Sequence, residues 1–174
     1  MKQVTIPDKA TRESWTLFDQ IVRYNTEFDS PTLRTHGFRA LELGKSLIEE
    51  EVVKELLPAL EKYQANPSLE NLDPVVDGII DGVVVLLFLA HQFGLPFDKL
   101  WNKVQDTQWK KVWPDGSIRR QGENDPKPGK IIKPEGWKEP DFMQDLIEWN
   151  STMRGESYSG GLIRHETKGE TNAS

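Results

Sequence analysis

Residues 75–95, VVDGIIDGVVVLLFLAHQFGL, decide the fold class. The run is too long for an ordinary strand and carries helical punctuation at both ends. Asp73-Pro74 reads as an N-cap with proline at N1, and Gly94 as the C-terminal cap. A helix from Pro74 to Gly94 is therefore predicted in spite of its many β-branched residues. Its apolar residues occupy almost every side except positions 77, 78, 81 and 82, so it is expected to be the most buried helix of the protein. Asp77 and Asp81 are four apart and share a face. Burying an unanswered carboxylate among aliphatic residues costs roughly several kcal/mol, so Asp81 above all needs a metal, a base or a hydrogen-bond network. Gly78 and Gly82 each weaken the helix by roughly 1 kcal/mol relative to alanine, a cost that close approach of a ligand or helix offsets.

Outward from this run the chain reads as further helices. Trp15, Leu17, Phe18, Ile21, Val22 and Tyr24 fall mostly at helical spacing, predicting a first helix from Ser14, as cap, to Phe28. Asp29-Ser30-Pro31 stops it. A second helix is predicted from Arg39 to Tyr63, with a kink at Pro58, which lacks an amide donor and crowds the preceding turn. A fourth runs from Pro96 to Trp113 and ends in the turn Pro114-Asp115-Gly116. Residues 117–141 read as an irregular arm, Phe142 to Trp149 as a short helix, and the polar stretch from Met153 as mobile or ordered only against a partner. The expected organisation is an all-α bundle over residues 1–113 with a C-terminal arm and tail over 114–174.

Composition narrows the function classes. The chain has 174 residues, 28 acidic and 22 basic, for a net charge of -6, a field that repels nucleic acid and anionic membranes. It has no cysteine, which excludes disulfides, thiol nucleophiles and Cys-ligated zinc. The start, MKQVTIPDKATRE, has no apolar signal segment, and the longest apolar stretch, Val83 to Ala90, is too short to span a bilayer. A soluble cytoplasmic protein is the expectation. Neither a Gly-x-x-x-x-Gly-Lys-Ser/Thr loop nor a His-Glu-x-x-His motif occurs, and the Glu-x-x-His pairs of di-iron bundles are missing.

The strongest chemical feature is a set of carboxylates on two consecutive helices. Glu49, Glu50 and Glu51 precede Glu55, and Glu51 shares a face with Glu55 as Asp77 does with Asp81. Hard oxygen ligands of this kind suit magnesium or manganese, and those cations suit phosphate oxygens. The competing reading makes Glu49 to Glu51 a solvated charge face paired with Lys45 and Lys54, with the aspartates paired to a Lys or Arg elsewhere. His91 reads as a core or cap residue.

With LIEEEVVKELLPAL at 47–60 and the aspartate helix at 75–95, the chain resembles the all-alpha nucleoside triphosphate pyrophosphohydrolases, most of all their phage MazG-like members. The family motif places Glu-Glu-x-x-Glu on one helix and an acidic pair ending in Asp on the next. Asp77 and Asp81 match the second part. The first part departs from it: alignment on Glu55 puts Val52 at a glutamate position, and alignment on Glu50-Glu51 puts Lys54 at the third acid. A local change of helical register would present Glu50, Glu51 and Glu55 differently. The resemblance continues through residues 104–142, where Lys111, Gly129, Lys130, Lys133, Pro140 and Asp141 fit the relatives' tail and Gln108 replaces an asparagine. Asn25 stands where relatives often have histidine.

The resemblance implies magnesium, or manganese, held by Glu51, Glu55, Asp77 and Asp81, with Glu50 as ligand or water-orienting group. It implies cleavage of a nucleoside triphosphate at the α-β linkage to monophosphate and pyrophosphate, and assembly as a homodimer or homotetramer. A few phage relatives cut dGTP or GTP, and the extended tail points that way; dATP, dUTP or a modified nucleotide is the alternative. Lys111, Arg119, Arg120, Lys130 and Lys133 are the basic candidates for the phosphates, joined by Asn25 and by Trp109 for stacking. Each tryptophan also has a simpler expectation as an anchor of the arm. The largely apolar aspartate helix independently implies more hydrophobic surface than one small bundle covers, so self-association is expected. A helical interaction module whose acids serve only salt bridges is the reading from a different class.

Overall fold

The computed structural model describes residues 7–155, which form an all-helical chain without a strand. Residues 156–174 lie outside it, and with them most of the expected tail. In order the elements are α1 (Lys9–Glu13), α2 (Leu17–Glu27), α3 (Leu33–His36), α4 (Arg39–Ile48), a π-helical segment (Glu49–Leu56), α5 (Leu57–Ala65), α6 (Leu69–Phe93), α7 (Phe97–Trp109) and α8 (Met143–Gly155). Long α6 is the hub, touched by α2, α4, the π segment and α5.

Local chemistry explains most of the boundaries. The first predicted helix begins later than expected: Thr16, not Ser14, is its N-cap, in a reciprocal box with Asp19, while Ser14 closes the short α1. The aspartate helix begins earlier than expected, at Leu69. Ser68 accepts from the Asn71 amide as N-cap, leaving Pro74 inside the helix and Asp73 exposed on it. The loss of one amide donor near an exposed helix start outweighs neither that cap nor the buried Asn71, whose side chain donates to Asn66 O at 2.8 Å. At the other end Gly94 is left-handed, with φ 65°, and Leu95 N–H reaches back to Ala90 O, the closure expected of a glycine cap.

The second predicted helix spans residues 39–65, but residues 49–56 are wound as a π-helix. Leu57 N–H donates five residues back, to Val52 O, and Pro58, next in line, has no N–H to continue either register. The disturbance expected at Pro58 is thus a change of register in the turns before it.

Helix α6 is the most buried helix among the described residues, as expected, but along one stripe and not around its circumference. Asn71, Val75, Gly78, Gly82, Val85 and Gln92, spaced at three, four and seven, form its covered stripe. On the opposite side Val76, Ile79, Ile80, Val83 and Leu86 are exposed, with Ile80 59% accessible. One chain has enough partner helices to cover one stripe of α6 and not its whole circumference. Gln92, 1% exposed, ties the covered stripe to the bundle by donating to Ala40 O at 2.7 Å and Pro31 O at 3.3 Å.

Helix α7 stops at Trp109, four residues before the expected end, and the chain turns with Gly116 N–H on Trp113 O. The arm is less irregular than expected. Residues 119–121 and 130–132 pair around a bridge between Arg120 and Ile131. It returns to α8, which is longer than the expected 142–149 and clamps onto α7 through Lys99, Lys103, Asp145 and Glu148.

Candidate functional site

The acids come together where the π segment crosses α6. A side chain at Gly78 would meet Leu56 Cβ at 3.0 Å and Leu56 Cα at 3.1 Å, and one at Gly82 would meet Val52 at 3.5 Å. The two glycines therefore let the backbones approach, Gly82 beside Val52 and Gly78 beside Leu56. Asp81 and Asp77 directly precede those glycines, and Glu51 and Glu55 directly precede Val52 and Leu56, so all four acids flank the two contacts and are brought near one another, staggered along the crossing.

Electrostatics follows from that placement. The Glu51 carboxyl is pushed up from its ordinary value, first by desolvation and then by the charges of Glu55, Asp81, Glu50 and Asp77. Glu51 and Asp81 are half-buried, whereas Glu50, Glu55 and Asp77 are exposed. Glu49 is not in the group: it pairs with Lys54 at 3.0 Å, one of the pairings expected of a solvated charge face. Among the described residues none of the other five acids makes an ion pair. Nor, among those residues, do three Asp, Glu or His side chains converge as a finished ligand cage. The donor set is nonetheless all hard carboxylate oxygen, on side chains long enough to reorient, and suits a divalent cation such as magnesium or manganese.

The basic candidates lie elsewhere, in the turn after α7 and in the arm, and are mostly engaged there. Lys133 sits 3.7 Å over the Trp137 ring and 3.5 Å from Glu139; Lys111 faces the same ring at 5.7 Å and donates to Gln108 Oε1. Arg119 stacks on Trp113 at 3.7 Å and pairs with Asp115 at 3.0 Å, and Arg120 donates to Gly129 O. The side chain of Lys130 is exposed, while its backbone serves the bridge. Trp113 and Trp137 are anchors, donating to Ile132 O and Thr107 O, but Trp109 is 75% exposed. Asn25 is buried on α2 with its amide turned back to Ile21 O. His91 is half-buried, its imidazole held toward the neutral form by desolvation.

Two clefts among the described residues lie near these groups. One of 610 Å³ separates α7 from the arm, lined by Lys103, Thr107, Lys110 and Trp137. The other, of 490 Å³, is more apolar and is lined by Arg12, Trp15, Gln20, Arg23, Tyr24 and Val84. Arg23 lies 4.3 Å over the Trp15 ring, and Val84 is three residues after Asp81 on α6, so this cleft opens beside the acid-bearing turns. Sequence reading missed it, because Arg12, Trp15 and Val84 come from three elements and carry no common spacing. No protein-family model matches the chain, and no curated protein matches it.

Proposed function

We propose that this protein is a divalent-cation-dependent nucleoside triphosphate pyrophosphohydrolase of the all-alpha, MazG-like kind. The observation that carries the reading is the group of Glu50, Glu51, Glu55, Asp77 and Asp81, which gathers on two helices without a basic partner among the described residues. Salt bridging alone would have supplied those acids with lysines or arginines, as it does for Asp145. Repulsion of this kind is a cost that a function has to justify, and a divalent cation relieves it.

Glu51, Glu55, Asp77 and Asp81 would hold magnesium or manganese, which when bound would supply charge stabilisation on phosphoryl oxygens and a lowered pKa for water. Glu50 accepts the proton of the attacking water or adds a ligand oxygen. Water adds across the α-β phosphoanhydride, giving a nucleoside monophosphate and pyrophosphate, with no protein nucleophile. Lys111, Arg119, Arg120, Lys130 and Lys133 offset the triphosphate charge, which requires those already stacked or paired to exchange partners. The aromatic cleft beside α6 offers Trp15 and Tyr24 to the base. The extended arm favours dGTP or GTP over dATP, dUTP or a modified nucleotide. The open stripe of Val76, Ile79, Ile80 and Val83 is the face through which a homodimer or homotetramer assembles.

Purified protein incubated with magnesium and a panel of ribo- and deoxynucleoside triphosphates, with products resolved, tests the reading. Monophosphate plus pyrophosphate in a magnesium-dependent reaction, lost in Asp81→Asn, is the expected result. No turnover of any nucleotide with magnesium or manganese would leave the open apolar stripe as the functional surface and the protein as an interaction module.

A further inference from the structure

Residues 49–56 are wound in a wider register than the α-helices on either side. In an α-helix Glu51 and Glu55 share a face, but Glu50, five residues before Glu55, points away from it. A π turn takes up one more residue, so residues five apart also come together. Glu50 thereby swings toward the face of Glu51 and Glu55, while Glu49 stays outside with Lys54. The segment is fixed against α6 at two points, Val52 beside Gly82 and Leu56 beside Gly78, each adjacent in sequence to one of the aspartates.

We propose that the π turn over Glu49–Leu56 is a one-residue insertion retained as a positioning element, which brings Glu50 and not Glu49 into the group facing Asp77 and Asp81. This rests on the acid-site reading above. The inserted residue can be located: Val53 is 52% exposed, so removing it takes little from the core. What remains is Glu50-Glu51-Val52-Lys54-Glu55, in which an α-helix places Glu50 four and Glu51 three residues before Glu55. The same three acids then share a face in either register, and Val52 and Leu56 stay on one ridge against the glycines. The departure of LIEEEVVKELL from Glu-Glu-x-x-Glu is thus one extra residue that the wider helix absorbs.

Mn²⁺ binding to the full chain, followed by calorimetry, tests this in the wild type, Glu49→Gln, Glu50→Gln and a variant lacking Val53, with thermal midpoints taken in cation-free buffer. Glu50→Gln is expected to weaken Mn²⁺ roughly tenfold or more, and Glu49→Gln to stay within about twofold of wild type. The deletion variant is expected to keep wild-type affinity and to melt at a higher temperature, its helix being α throughout. Equal effects of the two glutamine variants overturn the assignment, as does a folded deletion variant that has lost Mn²⁺. If the deletion does not fold, the two glutamine variants decide alone. A wild type without Mn²⁺ affinity overturns the acid-site reading and this assignment with it. Mn²⁺ binding by the wild type that Glu50→Gln leaves unchanged overturns only this assignment.

Discussion

Two groups of carboxylates in this molecule are treated in opposite ways. On α8, Asp145 is 7% exposed and answered by Lys99 at 3.0 Å and Lys103 at 2.5 Å, and Glu148 shares Lys99. Hydrogen bonds from the lysines hold both carboxyls below their ordinary values. On the π segment and α6, Glu51 has carboxylates where Asp145 has lysines, and its carboxyl moves up. Both groups span two helices, but α7 answers the α8 acids with lysines whereas α6 meets the π segment with further acids. The difference is that the α8 group is answered by lysines as a structural clamp, whereas the other has no basic partner among the described residues, the place the proposed cation would fill.

The largest effect should come from breaking the unanswered group. Asp81→Asn is expected to lower turnover on the order of 100-fold or more, while Asp145→Asn, read in the same assay, leaves turnover close to wild type and loosens α8. Comparable losses in both variants would erase the functional distinction between the two groups.

Next in size are the glycines that bring the acid-bearing backbones together. Gly78→Ala drives a methyl against the Leu56 backbone, and overpacking there should cost roughly 1–3 kcal/mol, partly offset by about 1 kcal/mol of helix propensity. Gly82→Ala meets only ordinary contact with Val52 and should be neutral or stabilising by up to about 1 kcal/mol. Urea midpoints of the two variants check the contrast, and cation affinity should fall in the first variant alone.

The pH dependence of the two groups should have opposite sign. Asp145 is held below its ordinary 3.8, so its contribution is present above that value and is lost as pH falls through the lowered one. Glu51 is raised above its ordinary 4.5, so its charge opposes folding at neutral pH, and that strain is relieved as pH falls through the raised value toward 4.5. Cation affinity should therefore weaken first on acidification, with the α8 clamp still closed, and amide exchange in α8 should accelerate only below 3.8. A simultaneous onset would show the groups to be coupled. The smallest effect belongs to Glu49→Gln, which removes one exposed pair and should change stability by less than about 1 kcal/mol in a thermal melt.

Much of this was legible in the chain. The punctuation at Gly94, the stop before Thr32 and the shared faces of Asp77 with Asp81 and Glu51 with Glu55 are local relations, fixed by residues within one or two turns of each other. The start of α6 was not, because Asp73-Pro74 and Ser68 both offer a cap and the choice depends on Asn71 being buried against Asn66. The basic candidates were legible as residues but not as partners, since Arg119 and Lys133 are engaged by Trp113 and Trp137 only once the arm folds back.

The sequence by itself determined that the chain is helical, where α2, α5 and α6 stop, and which acids lie on which helix, since capping and periodicity act over a few residues. Tertiary structure decided the π register before Pro58, the stripe of α6 that is covered and the exclusion of Glu49 from the acid group. Those depend on how closely two helices distant in sequence can approach, and Gly78 and Gly82 set that distance only with Leu56 and Val52 across from them.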